Sequence, residues 1–202
     1  MIVRLPASYI QPGVVTNEAA PRAGVLDLGL YPRGMDDLAS QIASDLEASG
    51  FSSRPDSNIM RWKYTKLLIN LNNVVSAIFK PDEPTEDISR ALREEALACY
   101  QAARIQFAST EEMHERARPY FKRTEIAGSP RMGSSTWQSL ARGLPTIETD
   151  YLNGEIVLLG ALHGVATPYN RAVQVLANRI ASEGIPPGSL HAHDLGDWPE
   201  VI

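Results

Sequence analysis

A lysine lying between an indole and two carboxamides is the first arrangement in this sequence that could carry out chemistry. Within residues 58–79, Trp62, Lys66 and Asn70 are each four residues apart, so a helix would stack them on one face, and Asn73 extends the line. An ammonium on such a face can donate a proton or stabilise a developing oxyanion. The spacing fits equally well a lysine whose aliphatic stem runs past Trp62 to water.

A second group of candidate residues lies in G-S-S-T-W-Q-S-L-A-R-G-L-P-T-I-E-T-D-Y-L-N-G-E-I, residues 133–156. Ser134 and Ser135 begin a predicted helix, so their hydroxyls and nearby N–H groups could hold a carboxylate. Glu148 and Asp150 precede another predicted helix, whose positive end they would favour. Purely structural roles fit too: Ser135 with Gln138 suits a capping box, and Glu148 complements a helix dipole.

Nucleotide and acyl-transfer chemistry have little support. Gly24, Gly29 and Gly34 do not make a G-x-G-x-x-G motif, and the sequence has no P-loop and no G-x-S-x-G motif. We therefore expect the chain alone to bind a dinucleotide negligibly, because nothing would cradle the phosphates.

Metal and thiol chemistry are also weakly indicated. His191, His193 and Asp194 are possible metal ligands, but they lie in a tail rich in Pro and Gly. A solvated tail is the preferred interpretation, and no metal site is assigned. The single cysteine, Cys99, excludes an intramolecular disulfide and a CxxC site, and its apolar helical face predicts packing rather than reactivity.

The composition is that of an ordinary globular protein, with 44% hydrophobic and 21% charged residues. A net charge of −5 with scattered basic residues argues against nucleic acid as a partner. No run approaches the ~18 apolar residues of a membrane span, and the first residues lack the long apolar centre of a signal peptide. These features predict a soluble cytoplasmic protein without membrane contact.

The chain divides by pattern into three parts. Residues 1–56 predict short strands and one helix over 34–50, with Leu38, Ile42 and Leu46 on its apolar face. Residues 57–185 predict successive helices, and residues 186–202 an extended tail. A loop is expected at 123–133. The expected helices are 58–79, which ends before Pro81; 85–105; 111–121, capped by Ser109 and Glu112; 136–143; one from about 153; and 168–182.

Four motifs in order resemble the C-terminal domain of ketopantoate reductase (2-dehydropantoate 2-reductase). They are W-K-Y-T-K-L-L-I-N at 62–70, G-S-S-T-W-Q-S-L at 133–140, I-E-T-D-Y-L-N-G-E-I at 147–156 and H-G-V-A-T-P-Y-N at 163–170. Residues 1–56, with Q-P-G-V-V at 11–15, resemble the closing strands of that family's nucleotide domain. The resemblance implies a mainly α fold: a helical domain of the 6-phosphogluconate-dehydrogenase-like type, preceded by a small α/β remnant of a Rossmann domain.

The resemblance also implies residue roles. Lys66 matches the family's catalytic lysine, and Glu148 the glutamate that binds substrate and orders that lysine. Asn70 matches the asparagine that contacts the substrate hydroxyl, Asn73 a second asparagine, and Ser135 the serine that receives the substrate carboxylate. This sequence departs from the family at Arg131-Met132, where an asparagine is expected. After Asn70 it also has one residue fewer than usual, which bears on the phase of Asn73.

The function implied is the catalytic half of an NADPH-dependent reductase of a 2-oxo acid, as in pantothenate biosynthesis. The expected cofactor is NADP, whose binding domain is absent from these residues, so a separate nucleotide-binding chain is a possible partner. A homodimer is expected. The alternative is a non-catalytic helical dimerisation or binding module descended from that family.

Overall fold

Short antiparallel strand pairs occupy the first part of the computed structural model, which describes residues 1–123 and 133–192. Of the six strands, the first pairs with the fifth, the second with the third, and the fourth with the sixth. In the first pair Ile2 lies opposite Asp27. The strands are β1 Ile2–Arg4, β2 Ala7–Ser8, β3 Thr16–Asn17, β4 Ala19–Pro21, β5 Val25–Asp27 and β6 Phe121–Arg123.

A strand–helix–strand unit follows from β5. Helix α1, Asp37–Ala48, connects β5 to residues 52–55, which run parallel to β5 through bridges Val25↔Ser52 and Leu28↔Pro55. Parallel strands require such a crossover. At the outer edge of residues 52–55, the Ser53 N–H donates to Glu47 Oε1 over 2.7 Å, and Pro55 has no N–H.

The buried face of α1 differs from the predicted one. Ala39 and Ala43 are buried beside Leu28, whereas Leu38 is 63% exposed. Ile42 and Leu46 are only partly buried against this cluster. The predicted stripe is therefore rotated by about one residue, because small alanines rather than large leucines face the strands.

The predicted helix over 58–79 is interrupted. It forms α2, Ile59–Asn70, a 3-10 turn, Leu71–Asn73, and the short helix α3, Val75–Ile78. Phe79 is extended, so the helix ends before Pro81 as predicted.

The remaining helices follow the predicted order. They are α4 Glu86–Ala102, α5 Thr110–Ala117, α6 Ser135–Ala141, α7 Asn153–His163 and α8 Pro168–Ser182, with a 3-10 turn at Glu148–Tyr151. The Ser109–Glu112 capping box is present. The prediction for 111–121 is wrong at its end, because Phe121 belongs to a strand paired with β4. These elements make the chain mainly α with a small α/β part.

The described residues form two compact units, 1–66 with 106–123, and 67–105 with 133–192. Helix α2 passes from the first to the second after Lys66. The division predicted from sequence, 1–56, 57–185 and 186–202, stays a prediction.

A buried ion pair ties α5 to the strands in the first unit. Arg116 donates to both carboxylate oxygens of Asp27, over 2.9 and 2.6 Å, and also to Ser52 Oγ over 3.2 Å. The two charged side chains are only 8% and 4% exposed. A second contact in this unit is apolar, among Ile2, Ile59 and Met113.

The core of the second unit lies among α3, α4, α6 and α8. Its buried residues are Val74, Val75, Ala77, Ile78, Phe79, Leu92, Leu140, Val173, Ala177, Ile180 and Ala181. Residues after α8 join this unit, since Leu190 bridges Phe79 in parallel. Residues 193–202 of the predicted tail, and most of the predicted loop 123–133, lie outside the described residues. Among the helices described, none is both long and apolar enough to cross a membrane.

Candidate functional site

Lys66 lies on α2, as its spacing predicts, with a half-buried side chain. Its ammonium donates a hydrogen bond to the backbone carbonyl of Val3 on β1. One turn earlier, Trp62 Nε1 donates to Asp56 Oδ2 over 2.9 Å, which fixes the indole. Lys66 is therefore held by a hydrogen bond within the first unit.

Of the two candidate asparagines, Asn73 ends the 3-10 turn Leu71–Asn73, and Asn70 is the residue just before it. In 3-10 geometry residues i and i+3 eclipse one another, so Asn73 follows Asn70 along the same side. Asn73 Nδ2 donates to Ser135 Oγ over 3.4 Å. The structure thus brings Asn73 and Ser135 together, as a continuous α-helix need not have done.

Ser134 rather than Ser135 caps α6. Its Oγ accepts from the Trp137 N–H and donates to the Asn73 carbonyl over 2.8 Å. The predicted capping role of Ser135 is therefore wrong by one residue. Because Ser134 does the capping, the exposed hydroxyl of Ser135 is not used as a cap.

Helices α4 and α7 hold the same 3-10 turn. Ser89 Oγ on α4 lies 2.5 Å from Asn72 Oδ1, and Asn153 Nδ2 on α7 lies 3.4 Å from the Leu71 carbonyl oxygen. Each residue of the turn is therefore bonded by a different element. Leu71 is contacted from α7, Asn72 from α4, and Asn73 by Ser134, the cap of α6.

Asn153 belongs to a buried polar network that the sequence analysis missed. Its Nδ2 donates to Asn170 Oδ1 over 3.1 Å, and both residues are 0% exposed. Asn170 Nδ2 donates to Glu95 Oε2 over 2.8 Å. Glu95 also accepts the backbone N–H groups of Tyr169 and Asn170 in the first turn of α8. The usable signal was that both asparagines lie within the quoted motifs, at 147–156 and 163–170.

Glu148 lies in the 3-10 turn Glu148–Tyr151, and its side chain is exposed. Within the described part of the chain, no hydrogen bond or ion pair engages it. Two residues on, Asp150 accepts from Gln174 Nε2 at 2.7 Å and Asn178 Nδ2 at 2.8 Å. These two hydrogen bonds lower the pKa of Asp150 and bind it to α8.

The thiol of Cys99 is placed as predicted, fully buried and 3.7 Å from the Ile156 carbonyl oxygen. Burial, and secondarily Glu95, raise the pKa of Cys99, which keeps it a thiol. Among the metal candidates, His191 pairs with Glu83 over 2.6 Å. His193 and Asp194 lie outside the described residues, and Arg131-Met132 does too.

The quoted motifs from residue 133 onwards lie on the helices and turns of the second unit. A family model described as ketopantoate reductase PanE/ApbA C terminal matches residues 58–181. The chain belongs to this family, which confirms the resemblance found in the sequence.

Solved structures agree in fold. A 2-dehydropantoate 2-reductase from Methylococcus capsulatus matches with TM-score 0.68 and 19% identity over 91% of this chain and 63% of that one. A PanE/ApbA family ketopantoate reductase from Ralstonia eutropha matches with TM-score 0.63 and 24% identity, over 91% and 59%. A D-mandelate dehydrogenase solved with NADH and anilino(oxo)acetate matches with TM-score 0.67 and 20% identity, over 90% and 59%. The chain thus spans about 59–63% of the length of these structures.

Proposed function

We propose that this chain is the substrate-binding and catalytic half of a ketopantoate-reductase-like oxidoreductase that reduces a 2-oxo acid to a 2-hydroxy acid. The observation that carries the proposal is the 3-10 turn Leu71–Asn73, held so that Asn73 lies against Ser135. The resemblance found in the sequence implies that residues of these types bind substrate.

The substrate carboxylate would be received by Ser135. A hydroxyl and a carboxamide N–H side by side supply two neutral donors to two carboxylate oxygens. A bound carboxylate would replace the hydrogen bond between them by charge-assisted ones, which are stronger. Asn70, at the head of the turn, would contact the hydroxyl group of the substrate.

Lys66 is proposed as the proton donor. Reduction of a ketone gives an alkoxide, whose charge an ammonium can stabilise before protonating it. The proton moves from Nζ to the alkoxide oxygen, leaving a neutral amine. Glu148 is proposed to bind substrate, in accordance with its exposed carboxylate, which nothing engages among the described residues.

The residues present do not fit a dinucleotide. In the strand–helix–strand unit described above, the chain enters α1 through Asp36, whose carboxylate caps the helix by accepting the Ala39 N–H over 2.7 Å. Asp37 follows in the first turn. Carboxylates there occupy and oppose the site that a pyrophosphate would use. No residue of this chain is therefore assigned to NADP, which we propose is held by a nucleotide-binding domain or chain outside these residues.

The test is titration of the chain with 2-dehydropantoate by calorimetry, with anilino(oxo)acetate as a second 2-oxo acid. Saturable binding is expected, with Kd raised about tenfold in Ser135→Ala, since a charge-assisted hydrogen bond is lost. Ser139→Ala, one turn along α6, is the matched control and should bind as the parent does. Absence of binding by the parent chain would reject the proposal.

A specific observation favours the binding-module alternative. On α7, Leu158 is 52% and Leu162 is 67% exposed, and they lie one turn apart. Exposed apolar side chains of this kind mark association surfaces. Tight self-association without 2-oxo acid binding would favour this alternative.

A further inference from the structure

We infer that Asn153 is a positioning residue. By fixing the Leu71 carbonyl, it sets the conformation of the turn Leu71–Asn73, which faces the substrate. The inference rests on the proposed function for the identity of the ligand. Its structural part, that Asn153 holds the turn Leu71–Asn73, stands on the contacts within the second unit alone.

The orientation of the Asn153 amide is set by its surroundings. Nδ2 faces two acceptors, the Leu71 carbonyl at 3.4 Å and Asn170 Oδ1 at 3.1 Å. The reversed amide would turn an oxygen lone pair towards both of them. Asn170 cannot reverse in compensation, because its own Nδ2 donates to the Leu92 carbonyl and to Glu95. The donor directions are therefore fixed: Asn153 donates both to the turn and to Asn170, and Asn170 donates to Glu95.

Core packing alone does not explain an asparagine at this position. Asn153 is 0% exposed, and its Oδ1 has no hydrogen-bond partner among the described residues. A buried amide with an unsatisfied oxygen is less favourable than an apolar side chain of similar size. What the amide supplies, and an apolar side chain would not, is a donor directed at the turn.

The turn depends on such contacts. Leu71–Asn73 is a single 3-10 turn between two α-helices, a conformation whose hydrogen bonds are poorer than those of an α-helix. Leu71 is two residues from Asn73, so a shift of its carbonyl alters where the Asn73 amide points. Losing the bond from Asn153 should therefore loosen Asn73 from Ser135 while leaving the core among α3, α4, α6 and α8 in place.

The test uses the full chain and Asn153→Leu, which keeps the branching and the number of side-chain heavy atoms and removes the donor. Backbone amide exchange is measured by NMR without ligand. Protection at residues 72–75 is expected to fall about tenfold, the effect of losing the hydrogen bond to the Leu71 carbonyl. Protection in the later turns of α8, beyond Asn170, is expected to be unchanged, because the second bond lost ends at Asn170. Thr149→Val is the matched control. Thr149 is also 0% exposed, and its hydroxyl has no partner among the described residues, but it makes no hydrogen bond to the turn Leu71–Asn73 there. It should leave exchange unchanged.

A second readout separates positioning from stability. The Asn73 side-chain amide signals should move in Asn153→Leu, and Kd for 2-dehydropantoate should rise about tenfold, as for the loss of one ligand hydrogen bond. Equal loss of protection throughout the unit, or unchanged protection at 72–75, would overturn the inference. If 2-dehydropantoate fails to bind the parent chain, the proposed function fails, whereas the exchange result still decides the role of Asn153.

One measurement needs no variant and decides the matter if Asn153→Leu does not fold. In the parent chain, the Asn153 side-chain amide protons should show nuclear Overhauser contacts to Leu71 or Asn72 and exchange slowly. Their presence supports the inference, and their absence refutes it.

Discussion

Two lysines on α2 differ in surroundings that a sequence cannot distinguish. Lys63 is exposed, whereas Lys66 is half-buried and bonded to the Val3 carbonyl. In a fusion of this chain to a nucleotide domain of the same family, Lys66→Ala should lower 2-oxo acid turnover on the order of 10²-fold, as expected for a positioned acid. The decrease is measured as the initial rate of NADPH oxidation.

Lys63→Ala is the internal control, because it lies about 60° around the helix from Lys66. Its fusion should keep the parent rate. Equal rates for the two alanine variants in an active fusion would show that Lys66 is wrongly assigned.

At the residue scale, spacing predicted some of the site and missed the rest for identifiable reasons. The four-residue spacing of Trp62, Lys66 and Asn70 is reliable because α2 is unbroken between them. The position of Asn73 could not be derived, since it depends on a 3-10 turn held by other helices. Two adjacent serines have equal capping propensity, and only the contact with the Asn73 carbonyl explains why Ser134 is the cap.

At the scale of elements, the ion pair between β5 and α5 is expected to stabilise the first unit strongly. Asp27→Asn should lower the free energy of unfolding by about 3–5 kcal/mol, because it leaves the Arg116 guanidinium buried without its counterion. Urea denaturation followed by circular dichroism measures the change.

Glu115→Gln on the same helix is the control. The Glu115–Arg118 pair is 58% and 73% exposed, so its loss should cost at most about 1 kcal/mol. A comparable loss in both variants would mean that the buried pair contributes no more than a surface one.

Element positions were largely predictable because caps and prolines mark them in the sequence. The Ser109–Glu112 box and Pro168 each begin a helix where predicted. The break after Asn70 was not predictable: no proline or glycine occurs there, and the local preference is decided by Ser89, Ser134 and Asn153 acting from distant parts of the chain. Which face of α1 is buried was likewise decided by the strands it packs on.

At the scale of the whole molecule, we expect a homodimer. Large apolar side chains are exposed in both units, for example Tyr31 at 81% and Leu162 at 67%. Light scattering at tens of micromolar should give twice the chain mass. Leu162→Asp should dissociate a dimer formed through α7, and Tyr31→Asp one formed through the first unit. A monomer mass for the parent chain would contradict the expectation.

The chain alone should bind NADPH negligibly. It has no G-x-G-x-x-G turn, and the first turn of α1 carries acidic groups. Titration followed by NADPH fluorescence should show no saturation up to hundreds of micromolar nucleotide. Saturable binding at micromolar concentration would overturn this prediction.

The outer edge of residues 52–55 bears on how copies of this chain can meet. An open strand edge can pair with a strand of another molecule to form an intermolecular sheet. Here two successive outward-facing positions have no free N–H to donate. The Ser53 N–H is already bonded to Glu47, and Pro55 has none to offer. An incoming strand would find no ladder at this edge, so amyloid-like growth from it is disfavoured and encounters between molecules are left to side-chain surfaces.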